Sequence, residues 1–207
     1  LRCLVGSEMC IRDRRNYPEW MQAYWAITSV GAAVVGMNAW WIGPEMLYAL
    51  EDSTPKVLIV DKERLNQLGE HRANVSNIKL VGVRFPEAEI GVTPWNDIVS
   101  GNTQQPMIDI DTDSDACIFY TSGTTGRPKG AQLTHRGCVS NVWSMLFSAG
   151  LQRILGIQKG LINANDEPPI GCALLTTPLF HVTANNCAAQ GTTCLLYTSD
   201  AADEWLR

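Results

Sequence analysis

Between Pro18 and Val83 the sequence moves repeatedly from helical spacing to a short apolar run and back. Pro18 suits the first position of a helix, where a missing N–H goes unused. Trp20, Met21, Tyr24, Trp25 and Thr28 follow at helical spacing, with Gly31 near the end. Their recurrence marks them as core. Ala32-Ala-Val-Val35 reads as a buried strand. Gly43-Pro44-Glu45 opens a second helix through Leu50, with an acid in the turn that the helix dipole favours for one. Lys56-Val-Leu-Ile-Val-Asp61 is a second buried strand, ended by Asp61 as a turn or cap residue. Glu63 to Leu68 is a short helix closed by Gly69, and Ile78-Lys-Leu-Val-Gly-Val83 is a third strand. Helix and strand in alternation predict an α/β fold of layered, mostly parallel sheets joined by crossover helices.

Composition narrows the function. Of 207 residues, 45% are hydrophobic and 18% charged, so a packed core is available and wholesale disorder is excluded. The net charge is -5 and no basic cluster exceeds Arg14–Arg15, which argues against a nucleic-acid partner. No apolar run reaches the roughly 18 residues that cross a bilayer. The most apolar stretch, Ala23 to Met37, is broken by Thr28, Ser29, Gly31 and Gly36. The cysteines form no C-x-x-C pair for zinc or thiol exchange. Cys117, inside Ala116-Cys-Ile-Phe-Tyr120, reads as a small core residue. A cytoplasmic setting is expected, with peripheral membrane attachment left open.

The two ends read differently from the rest. Glu8-Met-Cys-Ile-Arg-Asp-Arg14 can be encoded by GAG ATG TGT ATA AGA GAC AGN, and Cys194-Leu-Leu-Tyr-Thr-Ser199 by TGT CTC TTA TAC ACA TCT. The second string is the reverse complement of part of the first in another frame. Such an inverted repeat resembles the mosaic end of a transposase-based sequencing adapter. Residues 1–14 and 194–207 are therefore expected to be adapter-derived and to stand outside the fold, leaving 15–193 as the domain.

From Arg84 to Asp115 the chain turns polar, with Pro86, Pro94 and Pro106 as punctuation and Pro94 to Val99 as one short helix. Asp109, Asp111, Asp113 and Asp115 alternate before the next strand. A calcium-binding EF-hand loop starting at Asp109 would need glycine and glutamate where Ser114 and Tyr120 stand, so a solvated approach to a strand is expected.

Ala116 to Tyr120 reads as a strand, and Thr121-Ser-Gly-Thr-Thr-Gly-Arg-Pro-Lys-Gly130 follows it. Glycines let the backbone turn sharply and bring an anion close to N–H groups. Hydroxyls donate to phosphate oxygens, and Lys129 adds a point charge. A Walker A loop would have lysine between glycine and Ser/Thr, leading into a helix. Here Lys129 lies between Pro128 and Gly130, and Pro128 disfavours helix at Arg127. Ala131 to Thr134 reads as a second strand, and Thr134 or His135 begins a helix toward Phe147. The pattern predicts a strand–loop–strand clamp for a polyphosphate, against the alternative of a flexible surface hairpin.

Position by position, Thr121 to Gly130 resembles the signature of the adenylate-forming superfamily of acyl-CoA synthetases, luciferases and peptide-synthetase adenylation domains. The likeness extends to Arg15-Asn-Tyr-Pro-Glu-Trp20, Gly31 to Asn38, Lys56 to Asp61 and, downstream, Thr177-Pro-Leu-Phe-His-Val182. These segments look like the amino-terminal part of fatty acyl-CoA ligases. The resemblance implies that Thr121, Ser122, Gly123, Thr124, Thr125, Gly126 and Lys129 hold the ATP phosphates. It further implies that Phe180 and His181, at a strand end, shape the carboxylate pocket. ATP, Mg²⁺ and coenzyme A are implied with a carboxylic acid, and no metal ligand is identified. His71 and His135 read as surface or cap residues. The family's adenine loop, ribose-binding acid, hinge and catalytic lysine have no counterpart here, so the chain alone is expected to be inactive and to expose apolar faces. Alternatives are a peptide-synthetase adenylation domain and a non-catalytic nucleotide-binding module.

Overall fold

The computed structural model describes residues 9–12, 16–101, 104, 107–121, 126–166 and 174–191. Strands β1 (Met9–Arg12), β2 (Val34–Gly36), β3 (Val57–Asp61), β4 (Lys79–Val83), β5 (Val92–Pro94), β6 (Asp115–Thr121) and β7 (Lys129–Thr134) form one sheet. Its order is β5-β4-β3-β1-β2-β6-β7. All neighbouring pairs are parallel except β6 and β7, which are antiparallel. Helices α1 (Pro18–Thr28), α2 (Gly43–Ser53), α3 (Lys62–Gln67), α4 (Trp95–Val99) and α5 (His135–Gln158) connect or follow the strands, with a 3₁₀ turn at Gly69–Val75 and a π-helix at Thr183–Gln190.

Local chemistry accounts for most boundaries. Proline occupies the first turn of α1 and of α2, as expected. The Glu45 carboxylate accepts from the Ile42 N–H at 3.0 Å and satisfies one orphan donor of α2. Asp61 caps α3 by accepting from the Arg64 N–H at 2.8 Å. Thr134 caps α5 through the Gly137 N–H at 3.1 Å.

Four features depart from the sequence reading. The strand expected at 32–35 lies at Val34–Gly36, because Gly31 takes φ +72° and the chain is still reversing at Ala32. β5 was not expected. It is three residues long and contains Pro94, which the sheet tolerates at an edge. α5 runs 24 residues to Gln158 rather than stopping near Phe147. Finally, Met9–Arg12, set outside the fold by the sequence reading, pairs with β2 on one side and β3 on the other.

Alternate residues of the strands feed two cores, one on each face of the sheet. Trp20, Ala23, Tyr24 and Ile27 of α1 pack with Val34, Val57, Ile59, Val81, Cys117 and Phe119. On the opposite face Met46, Ala49, Leu50, Leu65 and Leu68 pack with Val35, Leu58, Val60 and Ile118. Burial on both faces is what a parallel sheet flanked by helices requires. Trp20 and Tyr24 are core residues, as their spacing predicts, and Trp25 is partly buried against them.

A buried polar thread crosses the first core. The Trp20 indole N–H donates to Asn185 Oδ1 at 2.9 Å, and Asn185 Nδ2 to Asn186 Oδ1 at 2.9 Å. Asn186 Nδ2 lies 3.5 Å from Cys138 Sγ, and the Cys117 and Cys138 sulfurs are 3.8 Å apart. The thread ties the π-helix to α1, β6 and α5, giving its polar groups the partners that burial demands. Hydrogen bonding, from Cys117 first, draws the Cys138 thiol down to about 7 despite burial. The same bond, with burial, pushes Cys117 up, and burial pushes the Tyr24 hydroxyl up.

α5 is the exception to this coverage. Val139, Trp143 (67% exposed), Phe147 (72%), Leu151, Ile154 and Leu155 form an apolar stripe on its outer side.

Candidate phosphate-binding site

β6 and β7 are paired from Asp115 opposite Thr134 to Thr121 opposite Lys129, with a bulge between Asp115 and Cys117. The motif loop therefore leaves from Thr121 and returns at Lys129, as a strand–loop–strand unit. A strand rather than a helix follows it, as Pro128 implies. Thr121 Oγ1 donates to the Lys129 carbonyl at 3.3 Å, closing the neck of the hairpin. Gly126 has φ +85°, and no atom lies within 4 Å of where its Cβ would sit. The backbone conformation, not crowding, therefore demands glycine here. Arg127 and Lys129 are exposed, so two cations stand at the returning stem. Ser122, Gly123, Thr124 and Thr125 lie outside the described residues.

The loop leaves from the carboxyl end of β6, the edge where open parallel sheets bind ligands. At this edge β2 ends at Gly36, in register with Phe119 of β6. A Cβ on Gly36 would lie 2.8 Å from the Phe119 ring and 3.2 Å from the Phe180 carbonyl oxygen. Glycine thus lets the 174–182 segment pass close over β2, two residues before Thr121. Phe180 is buried and meets Trp40 edge to face, with centroids 5.3 Å apart.

The strand end expected at Phe180-His181 is instead a turn that precedes the π-helix. Pro178 lacks a ladder donor, and Asn16 holds the turn from outside. Asn16 Nδ2 donates to the carbonyls of Thr177 at 3.0 Å and Leu175 at 3.3 Å, and its Oδ1 accepts from the Leu179 N–H at 2.8 Å. His181 is exposed, and its Nδ1 accepts from the Thr183 N–H at 3.2 Å. Asn16 was missed by sequence reasoning. Its signal is an asparagine before a proline-initiated helix, a residue type that tolerates the φ of +42° found there. Asn16→Ala is expected to lower stability by about 1–3 kcal/mol through three lost hydrogen bonds, read from the urea midpoint.

His135 is the first residue of α5, half-buried, with Nε2 shielded and without a hydrogen-bond partner. Burial holds its ring below the ordinary histidine value of 6.5. The unfolded chain therefore takes up this proton first as pH falls. The associated stability is complete above pH 6.5 and declines below it. His135→Gln is expected to flatten the fall in urea midpoint between about pH 7.5 and 5. His71 is half-buried, its ring against Gly43, as a packing residue.

Among the described residues no group of three or more His, Cys, Asp or Glu side chains could hold a metal. Asp113 instead pairs with Arg136 at 2.7 Å, in keeping with a solvated approach to β6. No described helix is long and apolar enough to cross a membrane.

The model of the AMP-binding enzyme family matches residues 14–207. The chain belongs to the AMP-binding enzyme family. The chain is 30% identical over 180 residues to feruloyl-CoA synthase of an Amycolatopsis species, covering 87% of the chain and 30% of that protein. It is 29% identical over 174 residues to 4-coumarate–CoA ligase CCL1 of Humulus lupulus, covering 83% and 29%. Among solved structures it is similar to the anthranilate CoA ligase AuaEII in complex with anthranoyl-AMP. There the TM-score is 0.62 at 27% identity, over 67% of this chain and 27% of that one. A putative long-chain-fatty-acid CoA ligase from Rhodopseudomonas palustris shares the fold, with a TM-score of 0.65 at 19% identity over 91% and 42% of the two chains. The chain spans about 30% of the length of the curated relatives it matches. Its fold is that of the N-terminal domains of adenylate-forming enzymes.

Proposed function

We propose that this chain is the triphosphate-gripping part of an ATP-dependent acid–thiol ligase, which makes an acyl-adenylate and then a coenzyme A thioester. One observation carries the reading. The Thr121–Gly130 motif joins a parallel strand to an antiparallel partner at the sheet's carboxyl edge, with Gly126 in a glycine conformation and Arg127 and Lys129 exposed. ATP supplies an activated α-phosphate and pyrophosphate as leaving group. The chain's own part is electrostatic and positional. Hydroxyls of Ser122, Thr124 and Thr125 donate to phosphate oxygens while Thr121 closes the neck of the hairpin beneath them, Gly123 and Gly126 open the backbone to them, and Lys129 offsets their charge. Phe180 and His181 border the acid. Mg²⁺ would offset the charge of the phosphates when bound with them, and no residue of this chain is assigned to it.

The sequence reading favours a fatty acid. The feruloyl-CoA and 4-coumarate relatives favour a flat aromatic acid as a second reading. A cytoplasmic setting remains part of the proposal. So does an adapter origin for residues 1–14 and 194–207, which reads of ordinary coding sequence spanning Arg14–Asn16 would refute. The exposed stripe of α5 supports the view that more of the enzyme packs here and that the chain alone does not turn over. Titration calorimetry with ATP is expected to show binding, while AMP release from ATP with fatty or cinnamic acids stays at background. No binding would end the reading, and turnover would end the proposed inactivity. Binding without turnover when a relative's missing portion is supplied would favour a non-catalytic nucleotide module. Transfer to a carrier-protein thiol would favour a peptide-synthetase adenylation domain.

A further inference from the structure

The geometry points to α2 as a brace for the motif loop, with Tyr48 and Asp52 as positioning residues that hold its two stems. The inference rests on the phosphate-binding reading and adds to it the groups that keep the loop in shape.

Cross-strand pairing of the hairpin ends at Thr121 and Lys129, so residues 126–128 have no ladder partner. What meets them is α2. Tyr48 and Asp52 are four residues apart and share one face of the helix. The Tyr120 hydroxyl, last before the loop, donates to Asp52 Oδ2 at 2.7 Å and lies 3.4 Å from the Ala49 carbonyl. Its ring stands edge-on to Trp41, with centroids 5.5 Å apart. On the returning stem, the Tyr48 hydroxyl donates to the Pro128 carbonyl at 3.3 Å. The Arg127 guanidinium lies 5.5 Å from the centroid of the Tyr48 ring. One helix face thus grips the residue that enters the loop and the two that leave it.

The brace is rigid because the opposite face of α2 is sunk in the second core through Met46, Ala49 and Leu50, each at most 3% exposed. Sites held by a packed element lose less order on binding than sites on a free loop. The Tyr48 ring also fixes the direction of one cation: Arg127 is kept beside the loop mouth, two residues before Lys129.

The test uses the 207-residue chain with inorganic tripolyphosphate as probe. The double variant Tyr48→Leu/Asp52→Leu is expected to weaken tripolyphosphate binding about tenfold, the loss of one to two hydrogen bonds. Asp52→Asn, which keeps an acceptor for Tyr120, restores affinity to within about threefold when paired with Tyr48→Phe, which keeps the ring under Arg127. Amide hydrogen exchange at Gly126 and Arg127, with no ligand present, is expected to quicken about tenfold in the leucine pair and to stay unchanged in Lys129→Ala. If the leucine pair binds and exchanges like the parent chain, the brace is refuted. It is equally refuted if the conservative pair fails to restore affinity while thermal unfolding is unaltered. If the parent chain does not bind tripolyphosphate but exchange still responds, the phosphate reading falls and the mechanical link stands. Should the leucine pair not fold, the conservative pair with Tyr120→Phe reads the same exchange.

Discussion

A proline in place of Cys10 is expected to unfold the chain. β1 is paired on both sides, Cys10 opposite Val35 of β2 and Leu58 of β3. A proline there removes a ladder donor in a strand with no free edge and leaves its acceptor unpaired, at a cost of about 1–3 kcal/mol before the fit of its ring between two strands is counted. Together the two costs are a large part of the roughly 5–15 kcal/mol that holds a domain together. Circular dichroism through a urea titration reads the outcome. The experiment also separates two views of the first residues. If the segment were an appendage, Cys10→Pro would leave the midpoint where it was, and the sheet would have to close β2 on β3 without it.

The second large effect concerns the loop. Lys129→Ala is expected to weaken ATP binding by about 10- to 150-fold, the range for losing a hydrogen bond to a charged group. Gly126→Val is expected to weaken it by a similar factor for another reason. Valine at φ +85° is strained by about 1–3 kcal/mol, although the space around it is open. Salt distinguishes the two. A screened charge loses influence as ionic strength rises, so the gap between parent and Lys129→Ala narrows from low to high salt. The Gly126→Val deficit stays constant, since backbone strain carries no charge. Equal affinity of parent and Lys129→Ala at low salt would remove the lysine from the site.

What could be read in advance was what local chemistry decides. The helices opened by Pro18 and by Gly43-Pro44, the apolar strand at Val57–Asp61 and the Asp61 cap all follow from neighbours within a few residues. The Thr121–Gly130 motif was legible because its glycines, hydroxyls and lysine are consecutive. Asn16 was not, since its partners at Leu175, Thr177 and Leu179 lie some 160 positions away. Tyr48 and Asp52 look like ordinary helix-surface residues until the hairpin is folded against them. The turn at Phe180-His181 was misread because apolar residues ahead of a histidine suggest a strand. A distant asparagine side chain, not local propensity, sets its shape. β5 escaped for a related reason: three residues with a proline make a strand when β4 is beside them to pair with.

The strand order has a consequence for how the molecule is made. Taken in order of synthesis, β2 joins one side of β1 and β3 the other, β4 and β5 extend outward from β3, and β6 and β7 extend outward from β2. Each new strand meets an open flank, and none must be threaded between two that are already joined. Growth from the middle toward both margins lets the ribosome deliver the sheet in the sequence in which it can be assembled, so the nascent chain need not wait for its far end before it begins to take shape.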